Sequence, residues 1–320
     1  MEIDVFNGDA DGVCALIQLR LAHPVKSHLV TGVKRDIDLL KQVNAVAGDV
    51  VTVLDISLQK NRPDLMRILD QGAKVFYVDH HQAGEIPRHP SFTSLIDTAA
   101  NTCTSLLVDD YLKHRFSAWA VTAAFGDNLK DSALQRAQGL ELTQQQLQQL
   151  ETFGICLNYN SYGKVVSDLH IPPDKLYRCL SPYQSPLDFI VDNDALFQKL
   201  LSSYQDDLRL AEQVSADFVN NDVALYLLPD KAWARRVSGV WGNELSNKSP
   251  DKAHAIVRED GEYGYQISVR APLNNRTGAD ELCGLFLSGG GRKAAAGINH
   301  LDKSQLALFI TEFIKKYRHD

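Results

Sequence analysis

Three apolar runs within the first 81 residues stop abruptly at acidic or imidazole side chains, and this pattern restricts the fold more than any other feature. Val75-Phe-Tyr-Val78 gives way to Asp79-His-His81, and Ile3-Asp-Val-Phe6 to Asn7-Gly-Asp-Ala-Asp-Gly12. Val50-Val-Thr-Val-Leu54 gives way to Asp55-Ile-Ser57. Short β-branched and aromatic runs of this kind, the first bounded by Gly72 and Gly84, read as buried strands. Adjacent ionisable groups are costly to bury without partners. In an open α/β sheet, ligands gather outside the carboxyl ends of the strands, so these three acid-bearing ends are expected to face one crevice.

Helices expected over Gly12–Ala22, Asp36–Val43 and Pro63–Gln71, with strands within Val25–Val33 and at Thr93–Ile96, fill the intervals. Strands alternating with helices predict an α/β fold, a Rossmann-like parallel sheet covered on both faces. Helices follow over Thr102–His114 and from Ser117 into Ala123-Ala-Phe-Gly-Asp-Asn128, and the pattern stays helical to Leu187. Leu187–Asn221 reads as a long connecting helix. The expected division is a catalytic domain over residues 1–190, a helical linker over 191–221 and a smaller α/β domain over 222–320. Within the last, Val223–Leu228, His254–Arg258 and Tyr263–Ala271 read as strands separated by turns. Asp280–Phe286 reads as helix or turn, and Ser304–Tyr317 as a closing helix. Gly289-Gly-Gly291 reads as a turn, and the small residues after Lys293 as the start of a helix.

At 320 residues, 44% apolar and 23% charged, the chain has the composition of a soluble globular protein of two ordinary domains. No basic segment followed by an apolar core opens it, and no run approaches the ~20 apolar residues that span a bilayer. The five cysteines are scattered without a C-x-x-C, which suits reduced thiols in a cytoplasmic protein. A net charge of −7 argues against a long nucleic acid, and a membrane surface is not expected either. It does not argue against a small phosphorylated substrate. The oligomeric state, a homodimer included, is left open by the sequence.

Asp9 and Asp11 are two residues apart, and in an extended segment their carboxylates would point the same way. Asp55, Asp79, His80 and His81 come from neighbouring strand ends, and Asp127 from a helix–loop junction. Several carboxylates within a few ångströms cannot all stay ionised without a cation. A mixed carboxylate and imidazole set suits Mn²⁺, with Mg²⁺, Fe²⁺ or Co²⁺ as alternatives, and the lack of cysteine ligands argues against structural zinc. So many anionic groups suit two ions better than one. A two-metal site clamps both oxygens of an in-line phosphoryl displacement, which makes phosphoester hydrolysis the leading chemistry. In the second domain, Gly289, Gly290 and Gly291 allow close backbone approach to an anion, beside Arg292 and Lys293. Gln266, Ser268 and Arg270 share one strand face and are further substrate-binding candidates. Asn274, Arg276, Lys34 and Arg35 are weaker ones.

These motifs, in this order, resemble the DHH phosphoesterases. Asn7-Gly-Asp-Ala-Asp-Gly12, Asp55, Asp79-His-His81 and Gly126-Asp-Asn128 match the four motifs of that family. Gly289-Gly-Gly-Arg-Lys-Ala-Ala-Ala-Gly297 resembles the glycine-rich motif of the DHHA1 domain that follows them. The resemblance spans nearly the whole chain. It implies two Mn²⁺ ions on Asp9, Asp11, Asp55, His80 and Asp127, with Asp55 bridging. Asp79 and His81 would be catalytic, orienting ligands or contacting the scissile phosphate, and Arg270 would contact substrate. Asn7 stands where many members carry a further acidic or histidine ligand, and Arg292 where the glycine motif usually has histidine. The arginine keeps a phosphate grip but cannot donate a proton at neutral pH. The implied activity is hydrolysis of very short oligoribonucleotides or linear dinucleotides such as pGpG to mononucleotides. A pAp phosphatase and a cyclic-dinucleotide phosphodiesterase are the alternatives of the same chemistry. A catalytically inactive nucleotide-binding regulatory protein is the alternative of another class.

Overall fold

The computed structural model describes residues 1–262 and 264–318. The chain divides into two compact units, Met1–Tyr204 and Gln205–Asp320. In the first unit, β1 (Glu2–Phe6), β2 (His28–Thr31), β3 (Val50–Leu54), β4 (Lys74–Asp79) and β5 (Phe92–Ile96) form one sheet in the order β2-β1-β3-β4-β5. Every neighbouring pair is parallel. This is the sheet that the alternating runs predict. The order reverses between β1 and β3, so their connections leave to opposite sides and open a crevice at the carboxyl ends.

The strands bury both faces. Ile3, Val5, Val51, Val53, Val75 and Tyr77 pack against Leu65, Ile68 and Leu69 of α2 (Leu58–Asp70). Phe6, Leu54 and Val78, at the opposite parity, pack with α1 (Ala10–Ala22), with Trp119 of α4 (Ser117–Gly126) and with Phe153 of α6 (Gln144–Asn160). Each such buried side chain contributes about 1.5–3 kcal/mol, so the strand ends sit on a rigid base. Between them lie α3 (Thr104–Tyr111) and α5 (Lys130–Ala137), and α7 (Pro173–Leu180) follows.

Several boundaries differ from expectation. α1 begins at Ala10 rather than Gly12, with Asp9 as its N-cap. The Asp36–Val43 helix shrinks to one 3₁₀ turn at Leu39–Gln42. α2 begins at Leu58 and contains Pro63, whose exposed position leaves the carbonyl it cannot satisfy to water. The connecting helix is broken at Asn193 into α8 (Pro186–Asp192) and α9 (Asp194–Glu212), and β6 (Phe218–Val219) already belongs to the second sheet. The division between the units therefore falls inside α9.

The second sheet adds β7 (Val223–Leu228), β8 (Ala253–Glu259), β9 (Gly264–Arg270), β10 (Gly289–Arg292) and β11 (Ala295–Asp302), in the order β10-β11-β9-β8-β7-β6. Only β7 and β8 run parallel among the described pairs. A parallel pair requires a crossover, and α10 (Ala232–Lys248) provides it. The sequence reading has only turns there, because Gly239, Gly242 and the Ser and Asn residues around them weaken the helical signal. Val257, Ile267 and Val269 pack with Phe309 and Phe313 of α12 (Leu306–Tyr317), and α11 (Ala279–Gly284) closes the same face. Tyr263, placed at the head of the β9 run by the sequence, lies outside the described residues.

The glycine-rich segment starts no helix. Gly289–Arg292 is a strand paired antiparallel to Ala295–Asp302, with Lys293 and Ala294 at the hairpin turn. Gly291 has φ 148°, and a Cβ there would lie 2.5 Å from Ala296 Cα. Among the described residues no helix is long and apolar enough to cross a membrane. The five cysteines are free thiols, Cys179 exposed and the others buried.

Candidate metal centre

The carboxyl ends of β1, β3 and β4 converge as their sequences predict, although Asp9 and Asp11 do not point the same way. Asp9 is an N-cap, not an extended residue: its Oδ1 accepts the backbone N–H groups of Asp11 and Gly12, at 3.1 Å each. Asp11, two residues on and within the first turn of α1, faces the amino end of α3. Its Oδ2 accepts the Thr104 N–H and its Oδ1 the Ser105 N–H, both at 2.7 Å. A helix amino end favours negative charge, and these two bonds anchor the carboxylate there.

Asp55 follows β3 with φ 59°, a left-handed conformation. The turn directs its side chain back over the sheet end, where Oδ1 accepts the Thr104 hydroxyl at 3.1 Å. Asp127 follows α4. Gly126 lets α4 approach α6 closely, since a Cβ at this glycine would lie 2.6 Å from the Gly154 carbonyl oxygen. That close approach brings Asp127 to the site.

His80 stands at the middle. Its Nε2 lies 3.5 Å from Asp55 Oδ1, 3.8 Å from Asp127 Oδ2 and 3.9 Å from Asp11 Oδ2. Bonds of about 2.0–2.2 Å to one ion set neighbouring ligand atoms roughly 3 Å or more apart. The spacing is therefore that of groups around a shared cation rather than of direct hydrogen bonds. Asp55, His80 and His81 form one group able to ligate an ion, and Asp11, His80 and Asp127 another. Asp79 is wholly buried; its Oδ1 holds His81 Nδ1 at 2.7 Å, and its Oδ2 has no hydrogen-bond partner among the described residues.

The electrostatics show what the cluster lacks. Burial, and then the charges of Asp11, Asp9 and Asp127, push the Asp55 carboxyl well above its ordinary range. Burial pushes Asp127 up to about 6, against the opposing pull of Lys34. A divalent cation removes this conflict, and the donor set of carboxylate oxygens and imidazole nitrogens fits Mn²⁺, Mg²⁺ or Co²⁺. Burial lowers His81, but its bond to Asp79 outweighs this and holds the imidazole above its usual value.

Sequence reasoning ranks Lys34 among the weakest candidates. Its Nζ lies 2.6 Å from Asp9 Oδ2, 2.9 Å from Asn158 Oδ1 and 3.3 Å from Asp127 Oδ1. The same reasoning does not single out Asn158, Thr104 or Ser105. Lys34 lies three residues past β2, whereas Asp55 directly follows β3, so the strand-end pattern reaches it only loosely. Asn7 does not face the cluster: its Nδ2 donates to the Lys34 carbonyl at 3.1 Å and its Oδ1 accepts the Asp9 N–H at 3.2 Å.

A further acidic group, Asp109, Asp110 and His114, could also hold an ion by spacing. Arg136 already occupies it, pairing with Asp109 and with Asp110 at 2.8 Å. It is an ion-pair network beside a cavity of about 720 Å³.

In the second unit the candidate residues separate into two sets. Arg270 is held by Asn243 Oδ1 at 2.8 Å, Ser268 Oγ at 2.9 Å and the Gly239 carbonyl at 3.2 Å. Its side chain lies against Gly242 of α10, where a Cβ would stand 3.6 Å from the Arg270 Cγ. Arg292 and Lys293 are exposed on the β10–β11 hairpin, and no side-chain partner of Arg292 occurs among the described residues. Arg276 is exposed and bonds its own loop, at the Leu273 carbonyl.

Sequence comparison returns no match to a protein-family model or to a curated protein. Comparison of folds does. A DHH-domain protein described as a member of a ribosomal-protein family matches with a TM-score of 0.65 at 12% identity, over 99% of this chain and 87% of that one. The fold is that of the DHH-domain proteins. Exonuclease RecJ bound to manganese shares this DHH fold, with a TM-score of 0.57 at 18% identity over 98% of this chain and 89% of its own. The pGpG-specific phosphodiesterase PggH from Vibrio cholerae matches with 0.57 at 14% identity, over 97% of this chain and 98% of that one.

Proposed function

We propose that this DHH-fold chain is a divalent-metal-dependent phosphodiesterase that hydrolyses very short oligoribonucleotides or linear dinucleotides such as pGpG. The observation that carries the reading is His80 Nε2 within 3.9 Å of three carboxylates from three different segments. Its likeness in fold to a manganese-bound exonuclease and to a pGpG-specific phosphodiesterase supports the same chemistry. A net charge of −7 supports a short substrate over a long one.

Asp11, Asp55, His80 and Asp127 are the residues to hold the metal, with Mn²⁺ the expected ion; the number of ions turns on Lys34. A bound divalent cation acts as a Lewis acid on a phosphoryl oxygen and makes water acidic enough to attack near neutral pH. The chain's own contribution centres on His81. His81 Nδ1–H donates to the Asp79 carboxylate at 2.7 Å, an assignment of the tautomer that follows from the acceptor being a carboxylate. With Nδ1 engaged by Asp79, Nε2 is the ring atom left to deliver a proton to the leaving oxygen. Asp79 positions His81 for that transfer. Gly289, Gly290, Gly291, Arg292 and Lys293 are the anion-binding groups of the second unit, and Arg270 with Ser268 a more rigid polar pair beside them on the same sheet.

The test is a product assay with Mn²⁺ on labelled pGpG, a five-residue RNA, a twenty-residue RNA, pAp and cyclic-di-GMP in parallel. Rapid loss of pGpG and the short RNA, with the long RNA intact, is the expected result. Preference for pAp or the cyclic dinucleotide would keep the chemistry and replace the substrate. Mn²⁺ binding without turnover of any of them would make the chain a nucleotide-binding protein instead.

A further inference from the structure

We infer that Lys34 is a built-in cation that takes the place of a second metal ion, so the centre binds one divalent ion per chain rather than two. This rests on the reading of the cluster as a metal centre and changes its stoichiometry.

The Lys34 ammonium has three N–H donors, and three oxygens surround it: Asp9 Oδ2 at 2.6 Å, Asn158 Oδ1 at 2.9 Å and Asp127 Oδ1 at 3.3 Å. The Asn158 amide is oriented for this purpose, since its Nδ2 donates to the Tyr162 hydroxyl at 2.9 Å. An amide oxygen, two carboxylate oxygens and three donors make a complete ammonium site. The lysine is also anchored through its backbone. Its N–H donates to the Ser161 carbonyl at 3.0 Å, and its carbonyl accepts Asn7 Nδ2. Beside it, both polar atoms of the Asn7 side chain are used on backbone groups. A neutral amide engaged with the backbone and a fixed cation thus stand at the same end of the cluster.

Asp127 shows how the two halves divide. Its Oδ1 faces Lys34, and its Oδ2 faces His80 at 3.8 Å. It therefore lies between the ammonium and the space enclosed by Asp11, Asp55 and His80. Asp9, with Oδ1 capping α1 and Oδ2 on Lys34, belongs to neither group of potential ligands found among the described residues. A second ion at Asp9 and Asp127 would have to displace the ammonium and would meet its charge within a few ångströms. At that distance two positive charges repel strongly in a partly buried setting, where water screens them little.

The experiment counts ions. Calorimetric titration with Mn²⁺, checked by elemental analysis after desalting, is expected to give one ion per chain for the wild type and two for Lys34→Ala. The variant keeps both backbone anchors, and its thermal unfolding reports whether it remains folded. The wild type supplies a second measurement: its electron paramagnetic resonance spectrum at saturating Mn²⁺ should show isolated ions without an exchange-coupled pair. Two ions or a coupled spectrum in the wild type would overturn the inference while leaving the metal centre intact, as would one ion in a folded Lys34→Ala. No ion in the wild type would instead remove the metal reading on which it rests.

Discussion

The two units treat buried charge in opposite ways. In the second, Arg236 and Asp207 are buried as a bidentate pair, Nε to Oδ2 at 2.6 Å and Nη2 to Oδ1 at 2.9 Å. His254 is buried neutral, its pKa pushed down to about 4 by burial and by Lys252. In the first unit, Asp9, Asp11, Asp55 and Asp79 are all buried, and Lys34 satisfies only one end of the group. Ordinary folding removes such conflicts, as the second unit does, so a conflict that persists on a rigid sheet marks a site. The first unit holds its unresolved charge inside. The second displays Arg292 and Lys293 in solvent.

The sharpest way to break this contrast is Asp55→Asn. Asparagine tolerates the left-handed backbone at this position, so the change removes charge with little strain. Turnover should fall by about a thousandfold or more, some 4 kcal/mol of transition-state stabilisation. The metal-free protein should at the same time unfold at a higher temperature, because a buried repulsion is gone. Adding Mn²⁺ should then raise that temperature less than in the wild type. Lower stability of the metal-free variant would mean that Asp55 serves the fold rather than the site.

His254 tests the other side. Its folded pKa of about 4 lies below the ordinary value of about 6.5, so the unfolded chain binds a proton that the folded chain refuses. Its contribution is complete above pH ~6.5 and is lost as pH falls toward 4, at about 1.4 kcal/mol per pH unit and about 3 kcal/mol in all. The difference in unfolding free energy between wild type and His254→Phe should follow that slope. Parallel curves would show that His254 is not held neutral.

Gly291→Ala should cost about 2 kcal/mol, since a Cβ would press on Ala296 from a backbone at φ 148°. Gly290→Ala should change stability by no more than about 0.5 kcal/mol, because that Cβ would meet nothing within 4 Å. Neither should alter Mn²⁺ binding. Equal costs would mean that the hairpin is not packed as described.

What was legible follows the same line. Apolar runs ending in charge disclose the parallel sheet and bring Asp55, His80 and His81 together, because strand parity and burial are local properties of sequence; Asp127 is read from a helix–loop junction instead. The splaying of Asp9 and Asp11 was not legible: an N-cap and a first-turn residue are decided by where α1 starts, and that depends on the amino end of α3 receiving Asp11. Lys34 carries little signal because it sits in a stretch with no period, and the pairing of β2 with β1 brings it in. In the second unit the parallel β7–β8 pair demanded α10, but nothing before the structure declared those strands parallel. The triple glycine looked like a helix-starting loop, since glycine and alanine runs carry almost no periodic signal.

The smallest effect expected is at Arg292. Its exposed guanidinium has no side-chain partner to lose among the described residues, so Arg292→Ala should leave stability within about 0.5 kcal/mol of the wild type. If the hairpin grips a phosphate equally in ground and transition states, KM for pGpG should rise about tenfold with kcat little changed. Arg292→Lys should recover part of the loss, as a point charge replaces a planar fork. Arg270→Ala offers the contrast on the same sheet, since it also breaks bonds to Asn243 and Ser268 and should therefore lower stability as well. A fall in kcat alone for Arg292→Ala would assign it to the transition state. No kinetic change would leave the second unit's exposed charge without a part in catalysis and place recognition of the short substrate on the metal centre's own surroundings.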